Sequence, residues 1–276
     1  MRVFITGSEG QVGQELGRVF SNVDTFLATH EAQDITHPSI IQTIVDFKPD
    51  ALIHTGAFTD VDGCELDPDR AFRVNAFGTR NVAVGAEKVK AKLVYLSTDY
   101  VFDGEKREPY TEFDETNPIN IYGKSKLAGE WFVQHLSSRF FIIRTSWLYG
   151  RKGKNFLKTV LRLAQEKEEL RMVDDQKGSP TNARELSEVI GRVIKAETYG
   201  IYHASGAGES SWYEYALEIL RLKGIKKKVV PIKASQLGWP AQRPAYSVLR
   251  HRALESIGIQ MRPWQEALKE FILTDG

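Results

Sequence analysis

Tyr122 and Lys126 stand four residues apart in Ile121-Tyr122-Gly123-Lys124-Ser125-Lys126, a spacing that places both on one face of a helix. A free tyrosine has a pKa of about 10 and holds its proton too tightly for efficient transfer at neutral pH. A nearby ammonium favours the phenolate and lowers that pKa. The pair therefore reads as a proton donor with a cationic helper. Thr98 follows the apolar run Lys92–Ser97 and offers a hydroxyl that can hold a substrate carbonyl.

A second group lies near the N-terminus, in Gly7-Ser8-Glu9-Gly10-Gln11-Val12-Gly13. It falls between a short apolar run, Arg2–Thr6, and a segment of helical periodicity, Gln11–Phe20. Gly7 permits a tight turn, Gly10 lets backbone approach a pyrophosphate, and Gly13 lets the helix pack closely on the strand. The free N–H groups of the helix start then face the phosphates. The spacing is GxxGxxG rather than GxGxxG, so its position between strand and helix carries the reading. Gly7, Gly10, Gln11, Val12 and Gly13 are the expected dinucleotide contacts. Lys126 would also reach the nicotinamide ribose.

The end of the second strand normally meets the adenosine ribose, and an acid there favours NAD. Here the region reads Thr29-His30-Glu31. His30 suits a 2′-phosphate and Glu31 a free 2′-hydroxyl. If His30 holds the strand-end place, NADPH is favoured, with NADH possible. Asp34-Ile35 is expected beside the adenine, although Asp34 also reads as a helix cap. Ala57-Phe58-Thr59 should flank the cofactor beyond the third strand. Asn75 is a candidate for bonding backbone or a water beside Lys126.

These residues need a scaffold that brings their segments to one edge. Strands are expected at Arg2–Thr6, Thr25–Ala28, Ala51–His54, Lys92–Ser97 and Phe140–Arg144. Helices are expected at Gln11–Phe20, Ile40–Phe47, Asp69–Lys88 and Ser125–Leu136. The alternation predicts an α/β fold with a doubly wound parallel sheet over residues 1–150. After Gly150 come a polar loop and an amphipathic helix, Phe156–Lys167. Arg184–Ala196 is expected to pack back on the first lobe. Pro231, Pro240, Pro244 and Pro263 then divide the chain into short pieces. Residues 151–276 thus read mainly as a smaller substrate-binding lobe.

With 276 residues and a net charge of +1, the chain has a globular size and no electrostatic case for nucleic acid or an anionic membrane. The lone Cys64 excludes an internal disulfide and a cysteine metal cluster. The initial apolar run is too short for a signal peptide, and no stretch approaches the roughly 18 apolar residues of a spanning helix. A cytoplasmic enzyme is expected.

Longer motifs sharpen the expectation. Among them are Ala57-Phe58-Thr59-Asp60-Val61-Asp62, Thr98-Asp99-Tyr100-Val101-Phe102-Asp103-Gly104, Arg144-Thr145-Ser146-Trp147-Leu148-Tyr149-Gly150, Gly178-Ser179-Pro180-Thr181 and Arg243-Pro244 with Ser247. With the glycine turn and the Tyr122/Lys126 segment, they make the chain resemble the dTDP-4-dehydrorhamnose reductases of the extended short-chain dehydrogenase/reductase group. The resemblance runs nearly end to end and implies a Rossmann-type fold.

It also implies that NADPH or NADH reduces the 4-keto group of dTDP-4-dehydro-L-rhamnose, with Tyr122 as proton donor and Thr98 and Lys126 assisting. Thr98, Asp99, Tyr100, Val61 and Trp147 would lie at the substrate. Asn155, Phe156 and Arg243 would face the thymidine diphosphate, arginine's planar fork suiting a phosphate.

Gly56-Ala57-Phe58 departs from the Ala-Ala-Tyr or Ala-Ala-His more usual in the family. Some members are magnesium-dependent dimers held through acidic residues. No compelling acidic constellation stands out in this sequence, so no metal is expected and a monomer or homodimer remains open. Tyr100 occupies the place where a dehydratase commonly carries a Glu, which disfavours dehydration. Another sugar-nucleotide 4-reductase or 4-epimerase remains a rival. A non-catalytic regulatory subunit of the kind that binds methionine adenosyltransferase is a second.

Overall fold

The computed structural model describes residues 1–274. The first half runs β1 (Arg2–Thr6), α1 (Gln11–Val19), β2 (Asp24–Ala28), α2 (Ser39–Phe47), β3 (Ala51–His54), α3 (Val61–Leu66), α4 (Pro68–Phe72), α5 (Thr79–Lys88), β4 (Lys92–Thr98), α6 (Ile121–Leu136) and β5 (Phe140–Thr145). It continues through β6 (Leu148–Tyr149), α7 (Phe156–Glu166), β7 (Glu169–Val173), β8 (Lys177–Gly178), β9 (Thr181–Asn182), α8 (Ala183–Val193) and β10 (Gly200–His203). The last elements are β11 (Ser210–Ser211), α9 (Trp212–Leu222), β12 (Lys228–Ile232), α10 (Arg252–Ser256) and α11 (Trp264–Thr274).

Six parallel strands form the main sheet in the order β10-β5-β4-β3-β1-β2. The chain moves outward from β1 to β2 and then crosses back to β3. The carboxyl edge at this reversal is where such sheets bind ligands. One face is covered by Val12 and Leu16 of α1 with Leu186 and Ile190 of α8. The other is covered by Ile40 and Ile44 of α2, Val82 and Ala86 of α5, and Val133 of α6. Burial on both faces explains why the inner strands β1, β3, β4 and β5 are largely apolar rather than alternating, whereas β2 at the edge is mostly exposed or half-buried.

The second lobe has its own core, in which Tyr149, Leu157, Val160, Leu170, Tyr215 and Trp264 are buried together. Among the described residues, no helix is long and apolar enough to cross a membrane.

Four elements differ from the sequence expectation. The helix over Asp69–Lys88 is interrupted by a π-helical turn at Arg73–Gly78, which contains Asn75; such turns favour functional sites. α6 begins at Ile121, ahead of the Ser125–Leu136 stretch but as the one-face spacing of Tyr122 and Lys126 requires, because Asn120 Oδ1 accepts the Gly123 N–H at 2.8 Å and caps the helix there. Gly123 belongs inside this helix: a Cβ on it would lie 2.1 Å from the Tyr100 carbonyl oxygen.

The return of the chain to the first lobe also extends beyond Arg184–Ala196. α8 packs on α1 as expected, and β10 then adds the sixth strand beside β5. The proline-rich tail is more regular than its composition suggests. Pro231 sits in β12, whose one ladder partner is β7, an edge position where a missing N–H is tolerated. Pro263 immediately precedes α11, where a helix can begin without that donor.

Candidate active site

The glycine turn is built by close backbone approach. Gly7 has φ +67°, and a Cβ on it would lie 2.6 Å from the Gly56 nitrogen. A Cβ on Gly13 would lie 2.2 Å from the Gly7 carbonyl oxygen. Gly10 is the N-cap of α1 and brings no side-chain acceptor, so the first N–H groups of the helix stay available.

Beside this turn is a cleft of about 420 Å³, lined by Gly7, Gly10, Gln11, Val12, His30, Asp34, Ile35, Ala57, Phe58 and Thr59. Leu96 on β4 also lines it. Open amide donors, a crowded glycine cradle and a histidine at the far end fit a dinucleotide phosphate chain. His30, rather than Glu31, lines the cleft. Asp34 has a local role as well, since its Oδ1 accepts the Thr36 N–H at 2.8 Å. Arg70 also borders the cleft, with its guanidinium 4.4 Å from the centroid of the Phe58 ring. The sequence reading missed Arg70 because no motif marks it.

The catalytic wall rises at the end of β4. Thr98 is buried, and its hydroxyl accepts the Tyr100 N–H at 3.2 Å. Its hydroxyl is also near enough to the Tyr122 phenol to favour the phenolate. Burial raises the Tyr122 pKa above its ordinary value; the Thr98 hydroxyl opposes this, and the charge of Asp99 adds to it. The Tyr100 ring stands edge-on to Tyr122, with centroids 5.9 Å apart.

Lys126 lies one turn along α6, but its Nζ donates to the Leu96 carbonyl oxygen at 2.7 Å and sits 4.2 Å from the centroid of the Tyr95 ring. The expected lowering of the phenol pKa by this ammonium is therefore not what the structure shows. Burial instead brings Lys126 down to about 7, against the pull of Glu130. Asn75 bonds backbone as anticipated. Its Oδ1 accepts the Phe58 N–H at 2.8 Å, and its Nδ2 donates to the Phe58 carbonyl at 3.0 Å and to Ser125 Oγ at 2.9 Å. It thereby ties the loop after β3 to α6.

The expected substrate residues divide. Asp99 is buried beside Thr98 and Tyr122, and half-buried Val61 is the first residue of α3. Trp147 adopts φ +43° and stacks on Trp212, with ring centroids 3.4 Å apart. Asn155 is placed against the glycine turn: its Nδ2 donates to Gln11 Oε1 and the Gly150 carbonyl, both at 3.0 Å. Phe156 packs on Trp212 and Tyr215. The structure does not group this pair with Arg243.

Arg243 makes a fork to Asp62, with Nη1 to Oδ1 at 2.7 Å and Nη2 to Oδ2 at 2.6 Å. Its Nη1 also donates to the Ala241 carbonyl at 2.7 Å. That leaves two of a guanidinium's five N–H groups free of these bonds.

Three further contacts escaped the sequence reading. Ser247 Oγ donates to Asp99 Oδ2 at 2.6 Å, across the lobes. Behind the wall, Arg144 forms a buried fork with Glu130, at 3.0 and 2.7 Å, while Ser97 Oγ donates to the same carboxylate at 2.5 Å. Glu130 follows Lys126 by four residues, so continuing the one-face spacing from Tyr122 could have singled it out.

A family model described as the RmlD substrate binding domain matches residues 1–275. The chain belongs to the RmlD family. A dTDP-4-dehydrorhamnose reductase from Burkholderia thailandensis is 39% identical to it, over 97% of both chains. The spore coat polysaccharide biosynthesis protein SpsK of Bacillus subtilis is 40% identical, over 98% of this chain and 96% of that one. A crystal structure of dTDP-4-dehydrorhamnose reductase from Bacillus anthracis in complex with NADP matches with a TM-score of 0.96. It is 44% identical and covers 99% of this chain and 98% of its own. The resemblance carried by the motifs and the expected parallel α/β fold are both borne out.

Proposed function

We infer that this chain is an NADPH-dependent oxidoreductase that reduces the 4-keto group of dTDP-4-dehydro-L-rhamnose to give dTDP-L-rhamnose, a precursor for polysaccharide synthesis. The observation that carries this reading is the meeting of the Thr98 and Tyr122 hydroxyls at the end of β4, beside a cleft that runs from the glycine turn to Leu96. The reductase relatives and the NADP-bound homologue support the substrate and cofactor.

NADPH, when bound, supplies the hydride. Gly7, Gly10, Gln11, Val12 and Gly13 hold its pyrophosphate, and His30 meets its 2′-phosphate. Ala57, Phe58 and Thr59 border the nicotinamide end, with Asn75 fixing Phe58. Asp34 and Ile35 border the adenine. Thr98 holds the keto oxygen, and Tyr122 protonates that oxygen as charge develops on it. Lys126, its Nζ held by the Leu96 carbonyl, meets the nicotinamide ribose. Val61, Asp99, Tyr100 and Trp147 shape the sugar side, while the free edge of Arg243 takes the diphosphate. The arrangement supplies alignment and a placed proton donor.

Tyr122→Phe should lower turnover about 10²–10⁴-fold, the usual worth of a general acid. NADPH affinity should stay close to that of the parent protein. The measurement is loss of NADPH absorbance with dTDP-4-dehydro-L-rhamnose, and NMR of the sugar product. Near-parent turnover, or sugar inversion without net cofactor oxidation, would overturn the reading.

A further inference from the structure

Asp99 is only 2% exposed, yet both its carboxylate oxygens are engaged by hydroxyls. Thr98 Oγ1 and Asp99 Oδ1 lie 3.1 Å apart, within hydrogen-bonding reach of each other, and Ser247 Oγ donates to Oδ2 at 2.6 Å. Ser247 is itself fixed by its N–H, which donates to the Lys177 carbonyl at 2.8 Å. The Thr98 hydroxyl also reaches the Tyr122 phenol. A continuous run of polar groups therefore leads from Ser247 through Asp99 and Thr98 to Tyr122. Apart from this run, Lys126 Nζ donates to Leu96 and the Asn75 amide to Phe58 and Ser125.

We propose that Asp99, positioned by Ser247 from the second lobe, returns a proton to Tyr122 through the Thr98 hydroxyl after each reduction. This rests on the reading of Tyr122 as proton donor. In the reduction the hydride forms the new C4–H bond, the cofactor is oxidised, and the carbonyl oxygen takes the Tyr122 proton. The resulting phenolate takes the Thr98 hydroxyl proton, and the Thr98 oxygen takes the carboxyl proton of Asp99. Asp99 is left as a carboxylate and regains its proton from water, the source of the proton that the net reaction consumes.

Burial pushes the Asp99 pKa up to about 7, with the Ser247 and Thr98 bonds opposing it, so a carboxyl proton is present near neutrality. The titratable groups facing Asp99 are Tyr100 on its own segment and Tyr122 on α6, with Arg243 and Asp62 beyond Tyr100. Cys64 of α3 acts on both Tyr122 and Lys126, and Glu130 of α6 acts on Lys126. The Lys177 ammonium is paired with Glu214 at 2.9 Å.

The experiment is rapid mixing of the NADPH-loaded protein with keto-sugar nucleotide, comparing the parent, Asp99→Asn, Ser247→Ala and Tyr122→Phe. Asp99→Asn should slow the later turnovers at least tenfold more than it slows the first. Equal slowing of the first and later turnovers means that Asp99 only holds substrate, and it overturns the proposal. An unchanged steady state does the same. In the parent, turnover should fall as pH rises and Asp99 loses its proton. Ser247→Ala removes a bond to the carboxylate and should move that fall to higher pH, whereas a merely structural role would lower the rate without moving it.

Infrared titration gives a readout apart from activity. A carboxylic-acid C=O band should be present in the parent at pH 6, absent in Asp99→Asn, and should persist to higher pH in Ser247→Ala. Lack of that band in the parent overturns the proposal. Full activity in Tyr122→Phe would instead defeat the proton-donor reading beneath it.

Discussion

The glycine turn and the catalytic wall both serve the carboxyl edge of one sheet, but they are built by opposite means. The turn is made of backbone: Gly7 lies against Gly56, and Gly13 against Gly7, at distances that leave no room for a Cβ. The wall is made of side chains drawn from far along the chain. Ser247 meets Asp99 across 148 residues, and Arg243 meets Asp62 across 181. A site made of backbone is vulnerable to added atoms. A site made of side-chain pairs is vulnerable to a lost partner, because the group left behind remains buried.

The largest expected effect tests the second half of that contrast. Arg144→Met removes the fork from Glu130, whose side chain is fully buried and would keep only the Ser97 hydroxyl of its present side-chain partners. Stranding a buried charge in this way costs about 3–5 kcal/mol. Urea denaturation should show that loss. Replacing both partners, as Arg144→Met with Glu130→Leu, should recover most of it, since no charge is left unpaired. A single-variant loss under about 1 kcal/mol, the ordinary worth of an exposed pair, would break the comparison.

The same contrast decides how much could be read from the sequence. The glycine turn was legible because its chemistry is local: three glycines between a strand and a helix state their purpose within seven residues. Tyr122 and Lys126 were legible as a helical spacing, yet Lys126's bond to Leu96 was not, because it depends on which strand lies beneath α6. Arg243 was recognised as a fork but not its present partner, since no local pattern connects it to Asp62. Ser247 appeared in a motif without a role, because only the docking of the two lobes places it on Asp99. β10 was missed because Gly200–His203 is four residues long and begins with glycine, a weak strand signal.

The backbone half of the comparison is tested by Gly13→Ala. The added methyl would lie 2.2 Å from the Gly7 oxygen and 2.7 Å from Ser8 Cα, and neither backbone atom can rotate away. α1 must therefore shift from β1, at an overpacking cost of about 1–3 kcal/mol. If that shift is felt at the pyrophosphate, NADPH affinity falls by about 10–100-fold, since about 1.4 kcal/mol is tenfold. Calorimetric titration with NADPH measures it. Unchanged affinity would mean that the turn accommodates a side chain after all.

The smallest effect concerns a side chain within the backbone-built region. His30 is exposed and lines the cleft just beyond β2, whereas Glu31 does not line it. If the His30 imidazole bonds the 2′-phosphate, the lost contact is worth about 1.5 kcal/mol, the lower end for a bond to a charged group. His30→Ala should then lower kcat/KM for NADPH about tenfold and leave NADH unchanged, because the pyrophosphate cradle is backbone and stays intact. The ratio of the two cofactors is the useful quantity, since damage to the turn would depress both together. Equal loss for both would place His30 among the residues that shape the turn. An unchanged ratio with full activity would move recognition of the 2′-phosphate to another cation on the cleft, with Arg70→Ala as the next variant to compare.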